Sequence, residues 1–109
     1  MSGDTTGPAL DPVIHAPARL RVMAALSALP DGDHITFPYL KDILDMTAGN
    51  LSVHLSKLED AEYVNVTKAH QGRRPVTYVQ LTRRGQLAFD VYTESIRSLL
   101  DNAHRPEDT

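Results

Sequence analysis

The chain is expected to be mainly α with a small β-hairpin, and three observations lead there. Four stretches space their apolar residues three and four apart, as half-buried helices do. Between the last two of them, Val64 and Val66 alternate with Asn65 and Thr67, and a second extended stretch follows a turn at Gly72. There are no cysteines and no apolar run of membrane-span length, so 109 residues must hold together by an ordinary core.

Residues 1–10 are small, polar and rich in Gly and Pro, and read as a disordered tail; 103–109 read as a flexible C-terminal one. "MSGDTTGPAL" lacks the basic-then-apolar pattern of a secretory leader, so a cytoplasmic location is expected. One domain, 11–102, lies between the tails.

Asp11 suits the cap of a short opening turn. "DPVIHAPARLRVMAALSALP" then gives a first helix, with Pro17 tolerated near its start and Pro30-Asp31-Gly32 ending it. Leu20, Val22, Met23, Leu26 and Leu29 cover most of its circumference, which marks a central helix or one at a subunit contact. Ile35 opens a short extended piece. Thr36 is the N-cap of a second helix, which has Pro38 in its first turn and Tyr39, Leu40, Ile43 and Leu44 as its apolar set. Met46 makes a tight connection. Thr47 caps a third helix whose buried stripe is Leu51, Leu55 and Leu58.

"YVNVTKA" and "VTYVQL" are the strands of a hairpin joined by a turn at "HQGRRP". Thr82 caps a last helix that runs to about Asp101, with Gly85 in its first turn. Two helices joined by a tight turn and followed by a hairpin with a basic tip form a winged helix-turn-helix, here with a C-terminal dimerisation helix.

The third helix raises the functional question. Opposite its leucines it shows Gly49, Asn50, Ser52, Val53, Ser56 and Lys57, a low and mostly polar face. A helix that enters the DNA major groove needs small residues for close approach and hydrogen-bonding side chains to read base edges. Asn50 suits adenine, Val53 a thymine methyl, Ser52 and Ser56 bases or phosphates, and Lys57 a phosphate. Thr47 and the helix's free N–H groups can hold another phosphate. His54 lies at the edge of the leucine stripe and is expected to pack against a neighbouring helix.

The net charge of −3 argues against a nucleic-acid partner, but its distribution argues for one. From Tyr63 to Phe89 the chain carries Lys68, Arg73, Arg74, Arg83 and Arg84 and no acidic residue. Screening confines each charge to about 8 Å, so a local basic patch acts independently of the total. Lys68, Arg73 and Arg74 would meet phosphates or a narrow minor groove. Arg83 and Arg84 stand at a helix start, where the dipole disfavours cations, a hint that something anionic compensates.

At these residues the chain resembles the bacterial winged-helix transcriptional regulators of the MarR/ArsR-like group. The likeness runs from about Asp11 to Leu100. It is carried by Gly49-Asn50-Leu51-Ser52, His54-Leu55, Leu58-Glu59 and Leu81-Thr82-x-x-Gly85. It implies a homodimeric DNA-binding regulator with Asn50, Ser52, Val53 and Ser56 in the groove and Arg73 and Arg74 on the wing. Three departures stand out. Glu62 occupies the usual helix-ending glycine, Ala48 replaces a common basic residue, and the cysteines of the metal-sensing branch are missing.

Phe89, Tyr92, Ile96 and Leu99 are spaced 3, 4 and 3, the seam of a helix pair. With Leu20 and Met23 of the first helix they are the expected dimer interface, leaving Leu87, Ala88 and Val91 for the domain's own core. A twofold dimer would read an inverted repeat in double-stranded DNA. Asp90, Glu94 and His104 have a loose metal-ligand look, but a solvated acidic face is the better reading, so no metal and no cofactor are expected. No catalytic set is recognisable, and enzyme is the weakest class. The runner-up is a winged helix serving as a protein-interaction module. The sequence neither supports nor excludes a small-molecule effector.

Overall fold

The computed structural model describes residues 10–104. Of the expected tails, 1–9 and 105–109 lie outside the described residues, while 103–104 still belong to the last helix. The elements are α1 (Pro17–Ser27), β1 (His34–Thr36), α2 (Phe37–Leu44), α3 (Ala48–Asp60), β2 (Val64–Gln71), β3 (Arg74–Leu81) and α4 (Arg83–His104).

Asp11 organises the entry to the fold. Its Oδ1 accepts from the Val13 N–H at 2.8 Å and its backbone carbonyl from the His15 N–H at 2.7 Å, closing the opening turn. Its Oδ2 accepts from the Tyr63 hydroxyl, which ties this turn to the chain leaving α3. Burial, followed by the hydrogen bond to Asp11 and its charge, pushes the Tyr63 hydroxyl up to about 12, with Arg84 acting weakly the other way. α1 then contacts α2, α3, β3 and α4, so it is the central helix its all-round apolar surface suggested. Val22, Met23 and Leu26 are buried in it.

α2 begins where the Thr36 hydroxyl accepts from the Tyr39 N–H at 3.4 Å. Only Leu40 and Leu44 of its apolar set are buried; Tyr39 and Ile43 are 60% and 50% exposed. The Arg21 guanidinium donates to the Leu44 carbonyl, a cation at the negative end of the helix. Asp45 turns left-handed (φ 55°), and the Met46 and Asp45 N–H groups bond back to the Lys41 and Asp42 carbonyls at 3.1 and 3.2 Å. That is a Schellman stop, built on a residue type that tolerates the left-handed region. It leaves Asp45, Met46 and Thr47 to connect α2 to α3.

α3 ends in the same way. Glu62 has φ 65°, its N–H bonds to the Glu59 carbonyl at 2.9 Å, and the Tyr63 N–H bonds to the Leu58 carbonyl at 2.9 Å. Replacing the customary glycine has therefore not changed the stop; the glutamate adopts it at a cost of about 1–2 kcal/mol. The conformation is held because Tyr63 must swing inward to start β2, and the Glu62 carbonyl accepts from the Thr82 hydroxyl at 2.7 Å. Glu62→Gly should accordingly stabilise the protein by about 1 kcal/mol. The denaturant midpoint would rise. A fall would mean that the exposed 3.8 Å pair with Arg84 outweighs the backbone strain.

The sheet has the order β1-β3-β2, all antiparallel, so the short extended piece at Ile35 joins the hairpin and makes three strands. The hairpin is longer than expected. The pairing runs from Val64↔Leu81 to Gln71↔Arg74, leaving only Gly72 and Arg73 as the loop. Gly72 has φ 66° and Arg73 does not share it, the signature of a type II′ turn. The expected six-residue turn at "HQGRRP" is thus a two-residue turn on a paired ribbon.

α4 differs from expectation at five positions, while Ala88 packs on the core and Leu99 is exposed as expected. Tyr92 is buried at 4% exposure, and Phe89, Ile96 and Ala88 pack on the core, while Leu87 and Val91 are 55% and 65% exposed. Phe89, Tyr92 and Ile96 of the 3-4-3 seam are thus the contact of α4 with its own domain, whereas Leu99 is exposed. Small residues on that side explain it. Gly85 leaves no room for a Cβ beside the Tyr63 backbone, and Ser95 is buried on the same face as Tyr92. Met23 lies in the core at 0% exposure and Leu20 packs against it, so Met23 and Tyr92 are covered within the chain itself.

Candidate nucleic-acid interface

α3 is fixed at both ends and on one side. Thr47 Oγ1 accepts from the Asn50 N–H at 3.1 Å, and Leu51, Leu55 and Leu58 anchor the helix to the core. Everything expected on the reading face is exposed: Thr47, Gly49, Asn50, Ser52, Val53, Ser56 and Lys57. Val53 is 54% exposed, and a Cβ added at Gly49 would meet nothing within 4 Å. The face is therefore left open by the described residues.

The hairpin register sorts the wing. Lys68↔Thr77 and His70↔Pro75 continue the row of Val64↔Leu81 and Val66↔Val79, the side that packs on the core. Gln71↔Arg74 belongs to the opposite side, and Arg73 is in the turn. The wing cations are thus divided between two faces and a tip. Seven strand steps from Val64 carry the tip about 23 Å outward.

Beyond the core, Lys68 and Thr77 line a groove of about 360 Å³ whose other wall is Ser52, Ser56 and Glu59 of α3. The structure therefore brings Ser52 and Ser56 together with Lys68, and holds Arg73 and Arg74 further out. Glu59 was not anticipated in this groove. Lys57, Lys68, Arg73 and Arg74 take part in none of the ion pairs among the described residues, which are Lys41–Asp42, Arg84–Glu62 and Arg97–Glu94. Arg84 so acquires the anionic partner its position called for. The pair is exposed and worth little.

His54 is half-buried, and its Nδ1 is shielded without a hydrogen-bond partner among the described residues. Among the described residues no group of three or more His, Cys, Asp or Glu could hold a metal ion, and no helix is long and apolar enough to cross a membrane.

A helix-turn-helix on a three-stranded sheet, followed by a projecting two-stranded ribbon, defines a winged helix. The family described as the winged helix DNA-binding domain matches residues 18–100, and the chain belongs to it. An uncharacterized protein of Methanocaldococcus jannaschii is 33% identical over 90 residues, 83% of this chain and 95% of that one. Among solved structures, a transcriptional regulator homologue from Pyrococcus horikoshii OT3 has a TM-score of 0.76 at 27% identity, covering 85% of this chain and 89% of that one.

A MarR-family transcriptional regulator from Silicibacter pomeroyi has a TM-score of 0.61 at 22% identity, covering 87% of this chain and 61% of that one. AbfR bound to DNA gives 0.64 at 22% identity, covering 75% and 60%. These last two share the fold, and this chain spans about three fifths of their length. Two relatives matched over most of both chains are archaeal rather than bacterial. Family and fold point to DNA binding rather than catalysis.

Proposed function

We propose that the protein is a sequence-specific transcriptional regulator that acts in the cytoplasm as a homodimer on double-stranded DNA carrying an inverted repeat. The recognition helix, about 48–61, enters the major groove, and the wing, about 68–75, lies on the backbone or in the minor groove. Asn50, Ser52, Val53 and Ser56 read bases. Thr47, Lys57, Lys68, Arg73 and Arg74 hold phosphates, and Gly49 permits the approach. The observation that carries this reading is an exposed, low and mostly polar face on α3, with four cations on α3 and the wing that take part in no ion pair among the described residues. The DNA-bound state of AbfR, which shares the fold, supports it.

The test is fluorescence anisotropy on two duplexes, one from upstream of the protein's own gene and one scrambled, at low and moderate salt. A large affinity gap that survives the higher salt is the expected result. Equal binding abolished by salt would leave a DNA-binding protein that does not read sequence. Binding to neither would turn attention to Tyr39 and Ile43, the exposed apolar pair on α2, as the surface of a protein-interaction module.

Dimerisation is reassigned to the outward side of α4. Leu87 and Val91, with Leu10, Pro12 and Ala88, line an apolar groove of about 480 Å³, and Leu99 stands further along the helix. Val91→Asp should convert a dimer to monomer in sedimentation equilibrium at micromolar concentration. An unchanged dimer would place the contact elsewhere.

A further inference from the structure

A second cavity, of about 430 Å³, lies between the α1–β1 loop, the base of the hairpin and the first turn of α4. Its apolar wall includes Leu26, Leu29 and Leu81. Its charged lining has both signs: Asp31 and Asp33 on the loop, Arg83 on α4. None of these three takes part in an ion pair among the described residues. Arg84 next door has Glu62 within reach.

The loop is preformed. The Asp33 N–H bonds to the Pro30 carbonyl at 3.0 Å, and Gly32 with φ 81° makes the turn type II. The Gln80 side-chain amide donates to the Gly32 carbonyl at 2.6 Å and fastens the turn to β3. The helix ends reinforce the polarity. α1 terminates just before this loop, adding partial negative charge on the side of the carboxylates. α4 begins at Arg83, adding partial positive charge on the other.

A lone anion in this cavity would face two carboxylates, and a lone cation would face Arg83. A purely apolar molecule would strip water from three charges without replacing it. A small zwitterion with an aliphatic body satisfies both poles and the apolar wall together. We propose that this cavity binds a free aliphatic α-amino acid. Its ammonium group lies toward Asp31 and Asp33, its carboxylate on Arg83, and its side chain on Leu29 and Leu81. No residue of the proposed DNA contact lines the cavity, so the binding stands or falls apart from that function. Asn65 and Gln80, at the root of the wing, do line it. Occupancy thereby stiffens the wing's base, and this consequence alone rests on the DNA-binding reading.

The experiment is isothermal titration calorimetry of the full chain with L-leucine as the probe. The expected Kd is below about 1 mM. L-Leucinamide lacks the carboxylate and 4-methylpentanoate lacks the ammonium group, so each should bind about tenfold or more weakly. Arg83→Ala and Asp33→Asn, both at exposed positions, should lose a similar factor while circular dichroism shows them folded. Arg73→Ala on the wing should keep the wild-type Kd. No heat with L-leucine at about 10 mM overturns the proposal. So does equal binding of a single-charge analogue, or full affinity in both cavity variants.

Discussion

Replacing Arg73 and Arg74 together by alanine should weaken binding to every duplex by about a hundredfold and lower the salt-dependence slope by about two per protomer, about four for a dimer. Both guanidiniums are exposed near the tip of a paired ribbon and take part in no ion pair among the described residues, so their charge is available to phosphate. A phosphate contact releases counterions at any sequence, so the ratio between specific and scrambled DNA should hardly move. Anisotropy titrations from about 50 to 200 mM salt measure both quantities. An unchanged slope would remove these arginines from the interface, and a collapse of the specificity ratio would make one of them a base reader.

The second large effect is on stability. A Cβ at Gly85 would stand deep inside contact distance of the Tyr63 carbonyl oxygen and 2.9 Å from its carbon. The obstacle is backbone, and that carbonyl also accepts from the Thr82 N–H at 3.0 Å, so no side chain can move aside to make room. Gly85→Ala should cost about 3 kcal/mol and lower the Tm by about 15 °C. Gly49→Ala is the matched contrast. Its Cβ meets nothing within 4 Å, so the helix should gain up to about 1 kcal/mol of propensity while the DNA face loses its closest approach. Thermal unfolding followed by circular dichroism separates the two. A Gly85→Ala protein within a few degrees of wild type would show that α4 can shift on β2.

Local signals were legible where one residue type permits one conformation. Thr36, Thr47 and Thr82 announce caps, and each hydroxyl accepts the expected backbone N–H. The leucine stripe of α3 shows its buried side directly, and hence its free one. The inward face of α4 was not legible because the helix is apolar on two sides, and a periodicity gives the angle between faces without saying which faces inward. The decisive signal was the small residues. Gly85, Ala88 and Ser95 mark the side where α4 lies closest to its own domain, since a surface that must touch needs volume removed.

The length of the wing's strands was not legible for a related reason. Gly72 locates the turn, but strand length depends on pairing with the partner, and only the register shows that Lys68 and Arg74 point to opposite sides. The groove containing Glu59 was out of reach because it joins residues of α3 to residues of β2 and β3. Pairing across such distances leaves no periodicity to read.

The central place of β3 has a mechanical meaning. One strand runs from the wing tip at Arg74, beside Thr36 at the start of α2 through the Thr36↔Tyr78 pair, and into Thr82 at the start of α4. It is a beam loaded at its free end and clamped at two points along its length. A load on the tip is therefore borne where the helix-turn-helix begins and where the long helix begins.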